Sequence, residues 1–255
     1  MIFATGDIHR KPQRFSTDGF VEQRMMNKYD YVIILGDFGL VLDKDKESKF
    51  EKYWLDWLEK KPFTTLFVCG NHENYDRLDD YPIEEWNGGK VHKIRPSVIH
   101  LMRGQVFTLQ NHTFFTFGGA SSHDVSDGIL ELDDPFYSLK KKKLDKDPYS
   151  HYRTNHLDWW QRELPSEEEM LEGLQNLKSH QNQVDFILTH SPSSALLEKM
   201  ADGNEEYQPD ILTDYLQNIL ETVNYKSFLF GHMHENEYFP EENAFCLYEQ
   251  IVRIL

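Results

Sequence analysis

An α/β fold built on parallel strands is the prediction, and three observations carry it. Short, wholly apolar runs recur along the 255 residues. In the first third of the chain, stretches of helical periodicity separate them. Five of the runs stop at a cluster of Asp, Asn or His, mostly just after a Gly. Runs of this kind suit strands buried on both faces. Strand–helix–strand alternation predicts parallel pairing through crossover helices. Polar clusters at strand ends are how an α/β protein sets chemistry at the carboxyl edge of its sheet.

Ile2–Thr5 reads as the first strand and leads into Gly6-Asp7-Ile8-His9. A helix is expected over residues 15–27, with Phe15, Phe20, Val21 and Met25 on its buried side. Tyr31–Leu35 is the strongest buried-strand signal and ends in Gly36-Asp37. Phe50, Tyr53, Trp54, Trp57 and Leu58 recur at helical spacing, so an amphipathic helix is expected there, stopped by Pro62. Leu66-Phe67-Val68-Cys69 is the next strand, and it delivers Gly70-Asn71-His72-Glu73.

The pattern then changes. Val98–Leu101, Gln105–Leu109 and residues 114–117 read as strands without helices between them, with a hairpin turn at Gln110-Asn111-His112. A second sheet or a meander is expected here. Residues 121–165 are the least regular, mixing Glu131, Asp133 and Asp134 with the lysine run 140–143 and several aromatic residues. They read as an insertion or cap within a single domain spanning 1–255. Ser166 followed by Glu169 marks a capped helix start, with Met170, Leu171, Leu174 and Leu177 as its apolar stripe. Strands at 186–188 and 227–230 end in Thr189-His190 and Gly231-His232-Met233-His234, with a helix over 211–223 between them. Residues 245–248 and 251–255 close the chain as β-structure.

Composition narrows the function. A hydrophobic fraction of 39% with 14% aromatic residues is ample for a core and excludes global disorder. The net charge of −16, from 27 basic and 43 acidic residues, disfavours long nucleic acid as a partner. It leaves a small anionic substrate open, because metal ions reverse the local field. Only Cys69 and Cys246 occur, so no disulfide framework is expected and a reducing compartment is the default. Neither a signal peptide nor a membrane-spanning run is visible, which leads to the expectation of a cytoplasmic protein.

Together the strand ends offer Asp7, His9, Asp37, Asn71, His72, His190, His232 and His234. Oxygen and imidazole donors in this mixture suit divalent transition metals better than magnesium or calcium. The absence of thiolates argues against a structural zinc cage. The supply exceeds what one ion needs, so two ions sharing a carboxylate is the economical reading.

Gly6-Asp7-Ile8-His9, Gly36-Asp37, Gly70-Asn71-His72-Glu73, Thr189-His190 and Gly231-His232-Met233-His234 resemble, in order, the five motifs of the calcineurin-like metallophosphoesterases. The resemblance runs from position 6 to 234. It implies a four-layer α-β-β-α sandwich of two mixed sheets. It also implies that Asp7, His9, Asp37 and His234 hold one metal, with Asp37 bridging to a second held by Asn71, His190 and His232. Manganese is the expected ion, with Fe, Zn, Ni or Co as alternatives. A metal-bridging hydroxide would attack phosphorus in line, with His72 off the metals as an imidazolium that stabilises or protonates the departing oxygen.

Two departures matter. Where the protein Ser/Thr phosphatases of this superfamily carry Asp and Arg after the second Gly-Asp, this chain has Phe38-Gly39-Leu40-Val41. Arg10 stands where a Gly commonly follows Asp-x-His, and is read as a substrate-phosphate contact. His123, after Gly118-Gly119, is read as a second substrate contact. Glu73 has no role beyond support of its neighbours. The remaining histidines, His92, His100, His112, His151, His156 and His180, read as surface or satisfied loop residues. The function expected is hydrolysis of a small or exposed phosphoester, with a phosphodiester or nucleotide preferred. The alternatives are a nuclease, a protein or phosphomonoester phosphatase, and a non-catalytic scaffold of the same fold.

Overall fold

The computed structural model describes residues 1–201, 203 and 207–255. The chain begins β1 (Ile2–Thr5), β2 (Tyr31–Leu35), α1 (Lys49–Glu59), β3 (Thr64–Val68) and the short α2 (Tyr75–Asp79). It continues through β4 (Ile83–Trp86), β5 (Gly89–Arg95), β6 (Val98–Leu101), β7 (Gln105–Leu109) and β8 (His112–Phe117). Then come β9 (Ile129–Leu130), α3 (Tyr137–Leu144), β10 (Arg153–Thr154), α4 (Glu167–Ser179), β11 (Phe186–Thr189) and α5 (Ser194–Ala201). The last elements are α6 (Ile211–Thr222), β12 (Ser227–Phe230), β13 (Glu237–Phe239), β14 (Ala244–Cys246) and β15 (Val252–Arg253).

Two mixed sheets result. One has the order β15-β1-β2-β3-β6-β5-β4 and the other β13-β14-β12-β11-β8-β7. β1, β2, β3 and β6 run parallel in the first, as β8, β11, β12 and β14 do in the second. The four layers follow from the period-two alternation of side chains along each strand. Ile33, Leu35, Leu66 and Val68 pack with Phe107, Phe114, Leu188 and Leu229 between the sheets. The alternate residues Val32, Ile34 and Phe67 face outward onto Leu55 and Leu58 of α1. On the far side Phe115, Ile187 and Phe228 meet Leu177 of α4 and Leu212, Leu216 and Ile219 of α6. Each central strand needs two apolar faces, which is why the parallel runs are apolar without interruption.

The segment over 15–27 is not a helix. It forms two 3₁₀ turns, Pro12–Phe15 and Val21–Met25, in which Phe15 and Phe20 are buried while Val21 and Met25 are exposed. Gly19 interrupts the segment, and the Gln23 amide donates to the carbonyls of Phe15, Ser16 and Phe20, replacing helical partners. α1 forms where expected, but its buried face is Glu51, Leu55 and Leu58, with Phe50 and Tyr53 exposed. Buried Glu51 pairs with Arg77 at 2.8 Å and accepts the Leu42 and Asp43 amides, so a charged pair rather than the aromatic stripe turns this helix. In α4 the Ser166–Glu169 capping box is present, and Leu177 is buried whereas Leu171 and Leu174 are exposed.

Val98–Leu101 belongs to the first sheet, and the second begins only at β7. The β7–β8 turn has Gln110 and Asn111 at φ of 48° and 65°, the left-handed pair that a tight hairpin requires. Asn87-Gly88 makes the same kind of turn between β4 and β5. His92 and His100 are not surface residues. They are buried on paired strands with their Nδ1 atoms 3.2 Å apart, and His100 stacks on Phe67. Trp160, from the irregular segment, is fully buried in the outer core, its Nε1 donating to Asp76 of α2 at 2.8 Å. Cys69 and Cys246 are buried and free. Among the described residues no helix is long and apolar enough to cross a membrane.

Candidate active site

β1, β2 and β3 of one sheet and β11 and β12 of the other end on the same side of the molecule, and a polar side chain turns inward within a few residues of each apolar run. Backbone conformation gives the first sign of a specialised site. His9, Asp37, His232 and His234 have φ of 41°, 46°, 67° and 54°, left-handed values that are uncommon for non-glycine residues. The preceding glycines make the close approach possible. A Cβ on Gly36, itself at φ +91°, would stand 2.1 Å from His190 Nδ1, and one on Gly70 would stand 2.2 Å from Asp37 Oδ1.

Asp7 and Asp37 are the buried centre. Asp7 Oδ1 accepts the His232 amide at 3.0 Å, and Asp37 Oδ1 accepts the His72 amide at 2.9 Å. Asp7 Oδ2 is buried and makes no hydrogen bond, although it lies 3.1 Å from His234 Nε2 and 3.6 Å from His9 Nε2. The Nε2 atoms of His9 and His234 approach each other to 2.8 Å. One donor atom from each of Asp7, His9, Asp37 and His234 falls within 4.8 Å of the others. An unpartnered buried carboxylate oxygen facing converging ring nitrogens fits a divalent cation, which would satisfy all of them together.

His190, fully buried, donates its Nδ1 proton to the Leu35 carbonyl at 2.7 Å. That hydrogen bond leaves its Nε2 lone pair facing Asp37 Oδ1 and Asn71 Oδ1, each 3.4 Å away. The His232 ring lies 4.9 Å from that of His190. Asp37 therefore stands between two groups of donors, with Oδ2 3.7 Å from His9 and Oδ1 toward His190.

The family model for calcineurin-like phosphoesterases matches residues 1–236. The chain belongs to that family. It is accordingly a metal-dependent phosphoester hydrolase, and its two mixed sheets flanked by helices are the family's fold. Solved structures that resemble it include phosphopantetheinyl hydrolase from Mycobacterium tuberculosis, at 14% identity and TM-score 0.43, with 97% of this chain and 87% of that one covered. A candidate 5′-nucleotidase from Staphylococcus aureus in complex with alpha-ketoglutarate gives the same identity and TM-score, covering 97% of this chain and 48% of that one. No curated protein matches the sequence significantly.

In this calcineurin-like phosphoesterase the charges at the edge are set unevenly. Burial, reinforced by the charge of Asp7, pushes the Asp37 carboxyl well above its ordinary value. Burial alone would raise Asp7 as well, but the neighbouring His190 and the close approach of His234 hold it well below the carboxylate range. Burial lowers His9 and His72 to about 4, with Arg153 adding to the effect at His72. A metal-free protein thus keeps His72 neutral at pH 7. Burial and Arg153 oppose the imidazolium expected from the sequence, whereas the negative charge of a bound phosphoryl group would favour it.

Seven of the sequence-derived residues come together: Asp7, His9, Asp37, Asn71, His190, His232 and His234, with His72 beside His9 at a ring separation of 5.3 Å. His123 also joins them, its Nε2 2.9 Å from that of His232. Arg10 does not. Its guanidinium is clamped by Asp43 at 2.8 and 3.1 Å and lies over the Phe50 ring, and it does not line the cleft. A local motif could not reveal that partner, because Asp43 reaches Arg10 only once the loop after β2 is folded.

Several contributors were not singled out from the sequence. Ser122 Oγ accepts from Asn71 Nδ2 at 3.3 Å and donates to buried Glu163 at 2.7 Å, which fixes the amide so that its oxygen faces His190. Tyr248 stacks on His234 with ring centroids 4.6 Å apart. Arg14 donates to the Asp7 carbonyl at 2.7 Å and to the Tyr248 carbonyl at 2.5 Å, tying the first motif to the C-terminal segment. Glu73, given only a supporting role from the sequence, receives the Phe38 and Gly70 amides, each at 2.7 Å.

Proposed function

We propose that the strand-end residues hold two divalent ions and hydrolyse a small or exposed phosphoester, with a phosphodiester or nucleotide preferred. Asp7, His9, Asp37 and His234 would hold the first ion, and Asp37, Asn71, His190 and His232 the second. The observation that carries this is the position of Asp37 between the two donor groups. Bound ions would supply Lewis acidity toward the phosphoryl oxygens and a hydroxide nucleophile near neutral pH.

The chain's own residues do the rest. Leu35 holds His190 in the tautomer whose Nε2 is a ligand, and the His232 and His72 amides fix the two carboxylates. His72 is half-buried at the cleft wall, where it can donate a proton or a hydrogen bond to the departing oxygen. His123 is placed to touch substrate beside His232. Manganese is our first choice of ion on donor chemistry. The two buried free cysteines favour a reducing, cytoplasmic setting, and residues 121–165 form a cap on the cleft of a single domain.

Release of nitrophenol from a bis-ester and a mono-ester, measured with Mn²⁺, Zn²⁺, Ni²⁺ and Mg²⁺ and after chelation, tests the reading. Release with no added or retained metal would overturn it, and so would inertness toward both esters with every ion. Metal should also stabilise the fold, increasingly so as pH rises. Asp37 and His234 both hold raised pKa values in the metal-free protein. Their contribution to stability is lost as pH rises through those values, while a cation takes the place of the departing protons. The Tm gain on adding Mn²⁺ is therefore expected to be larger at pH 8 than at pH 6. A smaller change accompanies Ser122→Ala. Freed of its partner, the Asn71 amide should bind metal about 10-fold more weakly, read by calorimetry.

A further inference from the structure

The proposed substrate is anionic, yet Asp37 and Asp124 both line the cleft it must enter. Among the described residues lining that cleft, Arg153 is the only arginine or lysine. Arg10, the cation expected there, is engaged by Asp43. We propose that Arg153 binds the phosphoryl oxygens of the substrate and that Asp124 is its positioning residue. The proposal rests on the hydrolase reading above and gives the irregular 121–165 segment a function within it.

Arg153 opens β10, which pairs with β9, and its amide donates to the Gly128 carbonyl at 3.3 Å. The backbone beneath the side chain is thus fixed although the surrounding segment is mostly loop. Asp124 takes one edge of the guanidinium, with Nε donating to Oδ1 at 3.0 Å and Nη2 donating to Oδ2. Nη1 makes no hydrogen bond among the described residues, and the side chain is only 19% exposed. A clamped guanidinium has given up its rotamer freedom before a ligand arrives, so less is lost on binding. The edge left over is a charged donor suited to a phosphoryl oxygen.

The clamp is itself tied to the metal-binding edge. Asp124 follows His123, which contacts His232, and Ser122, which links Asn71 to Glu163. A surface ion pair kept only for stability would contribute little and would have no reason to line the same cleft as His72 and His9. A single arginine contact reads the transferred phosphoryl group and leaves the rest of the ester unread. The preferred substrates are then those presenting a sterically open phosphoryl group, such as a nucleotide phosphate.

The test uses the Mn²⁺-loaded full chain, with inorganic phosphate as the probe in calorimetry and the two nitrophenyl esters in kinetics. Arg153→Ala is expected to weaken phosphate binding about 10- to 100-fold, the range for a charged hydrogen bond. KM for the hydrolysed ester should rise by a similar factor, with a smaller fall in kcat and with metal content and Tm unchanged. Arg153→Lys should recover part of the affinity. Asp124→Asn, which keeps the guanidinium but loosens it, should fall between wild type and Arg153→Ala. Should Arg153→Ala fail to fold, these two variants decide the matter. Phosphate affinity within twofold of wild type in the variants would overturn the proposal, as would a wild-type protein that binds no phosphate. A wild type that binds phosphate through Arg153 yet cleaves neither ester would sink the hydrolase reading and leave the anion site standing.

Discussion

Asp37→Asn is expected to lower kcat/KM for the hydrolysed ester by about 10³-fold or more, because the substituted group faces both sets of donors. An amide keeps the shape but removes the negative charge, and only one of its two terminal atoms can ligate a cation. The loss should show in metal content as well, falling toward one ion per chain. The effect on the metal-free protein has the opposite sign. Buried Asp37 is held well above the ordinary carboxylate range by burial and by the charge of Asp7. Its ionisation therefore opposes folding as pH rises, and a neutral residue escapes that penalty. The variant's metal-free Tm at pH 8 should equal or exceed that of wild type while activity collapses. Activity within tenfold of wild type would refute the central place given to Asp37. A Tm drop matching the activity loss would reduce the effect to misfolding.

The residues that converge at the candidate site were legible because each sits within a few positions of a strong local signal. An apolar strand must end somewhere, and an Asp or His at its end is costly unless it has work to do or a partner. Parallel register then brings three such ends to one edge of the first sheet and two to an edge of the second, and the packing of the two sheets sets those edges side by side. What failed depended on contacts distant in sequence. Leu55 and Glu51, not Phe50 and Tyr53, face the core because Arg77 draws Glu51 inward. Arg10 was drawn to Asp43, and Arg153 reaches the cleft from a segment whose own pattern was uninformative. One miss was avoidable. Asn87-Gly88 is among the strongest hairpin signals, and reading it would have found β4 and β5. The charge state of His72 lay out of reach, because its cause is burial beside Arg153, which only the folded chain creates.

Glu73→Ala should destabilise the metal-free protein by about 3 kcal/mol or more, and the reason lies in backbone amides rather than in metal chemistry. The fully buried carboxylate accepts the Phe38 amide at 2.7 Å and the Gly39 amide at 3.4 Å on one oxygen, and the Gly70 amide at 2.7 Å on the other. Phe38 and Gly39 follow Asp37, and Gly70 precedes Asn71, so this side chain fastens the loops after β2 and β3 to each other. Alanine would strand those donors in a dry interior at about 1–3 kcal/mol apiece. For a chain of this size that corresponds to a Tm lower by roughly 6–12 °C. Glu73→Gln keeps one acceptor but turns an NH₂ toward an amide donor, so it should fall between the two. Burial and the charge of Asp37 push the Glu73 carboxyl up to about 8, with the Gly70 and Phe38 amides opposing them. The folded state thus holds a proton that the unfolded chain releases near 4.5, and this part of the stability declines as pH rises from there through about 8. Between about pH 4.5 and pH 8 the Glu73→Gln variant should accordingly lose less stability with rising pH than wild type does. Metal affinity should fall along with Tm in Glu73→Ala, since Asp37 and Asn71 depend on the loops it joins. A Tm within 2 °C of wild type would show that water reaches those amides, and the fastening role would then be withdrawn.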